Sequence, residues 1–221
     1  MKNKTEQFKN GFTLAEVLIT LVIVGVVAAM TIPTAINNSK EQELKSQFKK
    51  AYSTITQAFN KTEMNDFYGY AGCYYGDDAE SSVSTDCRDF FDKLAKNLNI
   101  QKVCQGNAKA DGCVPVYQSY PVSSGCSGFR ESNINNINKV FVLSDGTIII
   151  PFDTTAGAMP LFLVDINGHK GPNAGGKDIF SFSFRKTPDD VPKLREAGCF
   201  DIVEGGRTTN NMIKYALAGV K

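Results

Sequence analysis

The chain has 221 residues, a formal net charge of +1, 42% hydrophobic residues, no Trp and a single His. That length holds one modest domain with an appendage and a real core, while two full domains would be cramped. A near-neutral charge offers no basic stripe for nucleic acid, and one His cannot supply the usual Cys/His zinc set.

In chain order, residues 1–11 ("MKNKTEQFKNG") form a short leader carrying Lys2, Lys4 and Lys9. Residues 12–32 are apolar, and as a helix they would be roughly 30 Å long, enough to cross a bilayer core. Thr13, Thr20 and Thr31 are small enough to hydrogen-bond back to that helix, and Glu16 is its only charge. A mixed-charge stretch follows, with Lys40, Glu41, Glu43, Lys45, Lys49 and Lys50. The basic leader predicts a cytoplasmic start with the remainder exported. A carboxylate beside lipid is costly, so Glu16 needs a partner or a purpose. A secretory signal peptide would be cut after the apolar region at small residues, for which "VVAAMTIPTA" is a weak candidate. A plain signal anchor explains the apolar length, but neither Glu16 nor Gly11 directly ahead of the run.

"GFTLAEVLITLVIVGVVAAMTIP" closely resembles the start of type IV prepilins and of the pseudopilins of type II secretion systems. The resemblance implies that a dedicated prepilin peptidase cuts between Gly11 and Phe12 and methylates the new N-terminus at Phe12. Glu16 matches the family's carboxylate four residues beyond the cut, and Gly25 and Pro33 match its helix-weakening positions. A structural function is implied too. The subunit would sit in the inner membrane by a single pass, head outside the cytoplasm. An ATPase-driven platform would then build it, with other copies or related pilins, into a helical pilus or pseudopilus in the periplasm or at the cell surface.

In such a filament the amine of Phe12 on one copy and Glu16 of a neighbour would neutralise each other. Two buried charges that are prohibitive singly become tolerable as a pair, and a slipped neighbour would leave both unpaired. Pro33 lacks an amide hydrogen and its ring crowds the carbonyl of Ala29. Gly25 weakens a helix by roughly 1 kcal/mol relative to Ala. The segment between them is therefore expected to kink or unwind in a filament, although a bilayer would hold it helical. Two rivals stand beside this reading: a membrane-anchored exported binding or adhesion module that does not polymerise, and an exported enzyme on a tethering helix.

From 37 to 62 the pattern turns amphipathic. Leu44, Phe48, Tyr52, Ile55 and Phe59 recur at steps of three and four, with Ala51 and Ala58 beside them. This predicts the second half of an N-terminal spine, laid on a soluble domain. A surface-lying membrane helix would carry more Lys.

Residues 63–221 form the expected head. "TDCRDFFDKLAKNLNI" predicts a short helix capped at Thr85 or Asp86, with Phe90, Phe91, Leu94 and Leu98 inward. From 101 to 136 no period persists. All six cysteines (Cys73, Cys87, Cys104, Cys113, Cys126 and Cys199) follow the apolar run, which favours disulfides in an oxidising space over free thiols. Their pairing is open. The four from Cys87 to Cys126 are expected to replace a missing local core.

"KVFVLSDGTIIIPFD" reads as a hairpin around Asp145-Gly146, and "PLFLVDI" and "KDIFSFSF" as two further strands of an antiparallel meander on the spine. Between the last two lies "VDINGHKGPNAGGKDIF". Its Asp165, Asn167, Asn173 and Asp178 offer hard oxygen donors suited to calcium. Major pseudopilins hold calcium in a head loop, although this loop does not align to theirs residue by residue and fails EF-hand spacing. The competing and favoured reading is a long glycine-rich turn braced by Asx hydrogen bonds. His169 sits mid-loop with no catalytic partner. No nucleophile elbow, Walker loop or zinc-peptidase motif occurs, so no enzyme is expected. "TTNNMIKYAL" could be a terminal helix or an edge strand, and Cys199 is expected to staple this last stretch to the head.

The expected fold is thus α+β, a long kinked N-terminal helix packed on a small antiparallel sheet. Its parts are a cleaved leader (1–11), a transmembrane or filament-core helix (12–36), an amphipathic half-spine (37–62) and the head (63–221). No cofactor beyond the candidate calcium is expected.

Overall fold

A computed structural model describes residues 11–65, 90–118, 129–136, 138–152, 161–185, 193–199 and 201–218. The leader before Gly11, Cys73, Cys87, Cys126 and the expected cap at Thr85 or Asp86 lie outside the described residues. The chain divides into two compact units, Met1–Glu43 and Leu44–Lys221.

Helix α1 spans Leu14–Asn65 and remains helical through Gly25 and Pro33. In the first unit its hydroxyls turn inward on the backbone: Thr20 Oγ1 donates to Val17 O (2.9 Å) and Thr31 Oγ1 to Val27 O (2.9 Å). The apolar side chains of this stretch are exposed nearly throughout, Leu21, Val22 and Val24 each by more than 60%. The helix is long and apolar enough to cross a membrane by length and composition.

In the second unit α1 carries the core stripe that its period predicts. Phe48, Ala51, Ile55, Ala58 and Phe59 are buried, with Leu44 and Tyr52 packed at the margin. They face a six-stranded antiparallel meander in sequential order: β1 (Ile100–Gln105), β2 (Lys139–Leu143), β3 (Ile148–Pro151), β4 (Leu161–Asp165), β5 (Ile179–Arg185) and β6 (Lys193–Glu196). The hairpin at Asp145-Gly146 and the strands β4 and β5 form where the sequence places them. Alternate residues of β5 send Phe180, Phe182 and Phe184 to the helix side. Phe59 stacks on Phe184 at 4.0 Å, and Phe48 meets Phe180 edge-on at 4.8 Å, both favoured aromatic geometries. Helix α2 (Phe90–Ala95) adds buried Phe90, Phe91 and Leu94 to this layer. Asn97 Nδ2 donates to Thr62 Oγ1 on α1 (2.9 Å).

Two findings depart from the expected head, and a third settles an open alternative. Strands β1 and β6 and the short helix α3 (Glu131–Asn136) arise where no period was visible. The stretch expected to lack a local core has one: Ala108, Cys113, Val114, Tyr117, Phe129 and Ile134 are buried against Val140, Ile148, Ile150, Leu161 and Leu163. The sheet is therefore covered on both faces, which explains why "LFLVD" is apolar at nearly every position rather than alternating. Finally, the open question at the C-terminus resolves as helix α4 (Thr209–Leu217), capped by Thr208, whose side chain accepts from Asn211 N.

Candidate functional site

The apolar segment begins with a local hydrogen-bond cycle. Helix α1 starts at Leu14, which makes Thr13 its N-cap and Glu16 the third helical residue. Thr13 N and Thr13 Oγ1 both donate to Glu16 Oε2 (2.9 and 2.8 Å), while Glu16 N donates to Thr13 Oγ1 (3.3 Å). This is a capping box, in which side chains satisfy backbone donors that the first helical turn leaves open. Glu16 therefore has an intrachain partner, which the sequence reading did not assign. The "TLAE" spacing of Thr13 and Glu16 carried that signal. Gly11 and Phe12 lie just outside the helix, Phe12 is 88% exposed, and a Cβ at Gly11 would meet nothing within 4 Å.

The second constellation lies in the head, in the 166–178 connection. Antiparallel pairing of β4 with β5 sets Asp165 opposite Ile179, so the two loop carboxylates, Asp165 and Asp178, stand at the two ends of the connection and close together. Both are fully buried. Asp165 Oδ1 accepts from Asn167 N (3.2 Å) and Gly168 N (2.7 Å). Asp178 Oδ2 accepts from Asn173 N (2.6 Å) and Oδ1 from Ala174 N (2.7 Å). The Asx bracing expected of a long turn is thus present. It does not exhaust the polar groups. Asp165 Oδ2, Asn167 Oδ1 and Asn173 Oδ1 are buried and accept no hydrogen bond, a costly state for oxygen in a low-dielectric interior.

Burial pushes the Asp165 carboxyl well above the usual carboxylate range, and the nearby charge of Asp178 pushes it further. The backbone amides of Asn167 and Gly168, and the Tyr117 side chain, partly offset this. Asp178 is raised as well, again chiefly by burial, against its backbone hydrogen bonds and the Asn167 side chain. Among the described residues no group of three or more His, Cys, Asp or Glu could hold a metal. The donor set here is two carboxylates and two amide oxygens, the hard, oxygen-only kind that suits calcium rather than zinc. All four sequence-predicted donors fall in this one loop, and three of them contribute an unsatisfied oxygen.

The loop is gripped from several sides. Gln118 N donates to Asn173 O (2.9 Å) and Gln118 Nε2 to Pro172 O (2.8 Å). His169, which is exposed, places Nε2 3.2 Å from Gly112 O. That carbonyl belongs to the turn closed by the Cys104–Cys113 disulfide. Cys199 is disulfide-bonded as well.

Residues 8–32 match the family model of the prokaryotic N-terminal methylation motif. The chain thus carries the type IV pilin and pseudopilin signature, on a long N-terminal helix and a six-stranded antiparallel sheet. No curated protein and no solved structure matches the chain significantly.

Proposed function

We propose that the chain is a structural subunit, pilin or pseudopilin, of a type IV pilus-like or type II secretion filament. The observation that carries this reading is the methylation motif at residues 8–32, on a helix whose apolar side chains are left uncovered by the described residues. Such a surface calls for lipid or for copies of itself. Prepilin peptidase cuts between Gly11 and Phe12, on the cytoplasmic side of the inner membrane, and methylates Phe12. Residues 12–36 then cross the bilayer until an ATPase-driven platform draws the subunit into the filament. There Glu16 leaves Thr13 and neutralises the Phe12 amine of a neighbour, while Gly25 and Pro33 let the apolar segment adapt. Residues 37–62 carry the head, which takes the remainder of the chain. The role is mechanical rather than catalytic.

Within the head, calcium is the ion that best fits the 166–178 loop, held by Asp165, Asn167, Asn173 and Asp178. The three orphaned oxygens support this, because a divalent cation would satisfy them and offset two neighbouring buried carboxylates together.

Mass spectrometry of the mature N-terminus tests the main proposal. A chain beginning at N-methyl-Phe12 is expected. A working form that retains residues 1–11 overturns it, and would favour the anchored, non-polymerising module.

A further inference from the structure

We infer that the cation loop is a latch that fastens the C-terminal helix to the spine, a regulation of that site which rests on the calcium reading above. Residues 201–207 cross the loop as a strap, and the contact between them is backbone on backbone. Val203 N donates to Gly175 O (3.1 Å) and Arg207 N to Gly176 O (2.7 Å). Neither side has slack. A Cβ at Gly176, whose φ is +79°, would stand 2.7 Å from Arg207 O and 2.8 Å from Ile202 Cγ2. A Cβ at Gly206 would stand 2.9 Å from Gly175 O and 3.0 Å from both Ile202 Cγ2 and Val203 O. The two carbonyls that receive the strap immediately follow Asn173 and Ala174, whose amides are held by the Asp178 carboxylate. Whatever fixes Asp178 therefore fixes the strap's acceptors.

Beyond the strap the chain enters α4 at once. Glu196 Oε1 and Oε2 accept from Thr209 N (3.1 Å) and Asn210 N (3.3 Å), and Thr209 Oγ1 donates to Ser181 O (3.1 Å). Met212 and Ala216 join the same buried cluster as Phe48 and Ile55 of α1. The Tyr215 ring receives Lys45 Nζ of α1 at 4.1 Å and the Arg207 guanidinium of the strap at 4.3 Å, contacts that favour cations over an aromatic face. One unbroken path thus leads from the loop oxygens through 175–176, the strap and α4 to the spine. With the cation in place the loop is rigid and α4 is clamped. Without it, the loop and strap loosen together.

Hydrogen exchange on the full mature chain in detergent, calcium-loaded against chelated, reads this directly. Chelation is expected to speed exchange about tenfold or more in 166–178 and in 201–217, while the β2–β3 hairpin keeps its protection. Reciprocity supplies the second arm: any change that frees the strap must weaken calcium by the same factor. Gly206→Ala, and the milder Ile202→Ala, are therefore expected to raise calcium's dissociation constant, measured by calorimetry, as they expose 201–217. Calcium binding with unchanged protection of 201–217, or a freed strap with unaltered affinity, overturns the latch and leaves the site standing. No calcium binding to the unmodified chain overturns both.

Discussion

Replacing Phe48 with alanine tests whether residues 44–65 belong to the head's core. Phe48 is 0% exposed, meets Phe180 edge-on at 4.8 Å, and has the Tyr52 and Phe182 rings 6.1 Å away. Truncating a buried Phe removes its transfer free energy and leaves a cavity, together about 3–5 kcal/mol. For a domain of this size each kcal/mol moves the melting temperature by roughly 2–4 °C, so Phe48→Ala should lower it on the order of 6–20 °C. Val22, on the same helix, is 65% exposed, and Val22→Ala should change head stability by less than about 0.5 kcal/mol. Thermal unfolding of the full chain in detergent, followed by near-UV circular dichroism, compares the two. If both variants melt together, the spine is not integral to the head and the packing argument fails.

Glu16→Val is expected to leave cleavage intact and to abolish filaments recovered by shearing; normal filament yield would show that Glu16 has no part in assembly. The 166–178 connection, with the carboxylates at its ends, makes a pH prediction. Asp165 and Asp178 titrate above their ordinary range when folded. Their contribution to stability is therefore fully present below the unfolded-state value and is lost as pH rises through the folded values. Calcium-free protein should accordingly lose melting temperature from mildly acid to neutral pH, and calcium should restore it most at neutral pH. An equal calcium increment at both pH values would refute this. Replacing Cys104 and Cys113 together by alanine opens a loop with a sequence separation of 9, which should cost about 2–3 kcal/mol in denaturant titrations. A loss under about 0.5 kcal/mol would mean that the buried cluster around it holds that turn alone.

Periodicity made the spine and the central strands legible. Phe48, Ile55 and Phe59 announce a buried helical stripe, and Phe180, Phe182 and Phe184 an alternating strand, because each period maps directly onto one face. The same logic failed for β1 and the second face of the sheet. "IQKVCQ" has one buried residue, Cys104, and the covering layer is built from single residues of irregular loops. A core assembled from long-range contacts leaves no local period to read. The loop site was half visible. Its oxygen donors stood in the sequence, but the approach of the two carboxylates depends on the Asp165–Ile179 register, and which oxygens stay unsatisfied depends on three-dimensional packing. The Thr13–Glu16 cycle, by contrast, is local: the four-residue spacing of "TLAE" is itself the capping-box signature.

That local partner changes how polymer growth should be regarded. An acid already engaged by Thr13 is not an open valence, so under the proposed assembly, joining a filament would swap one set of contacts for another. The driving force is then the difference between two satisfied states rather than the full strength of an ion pair.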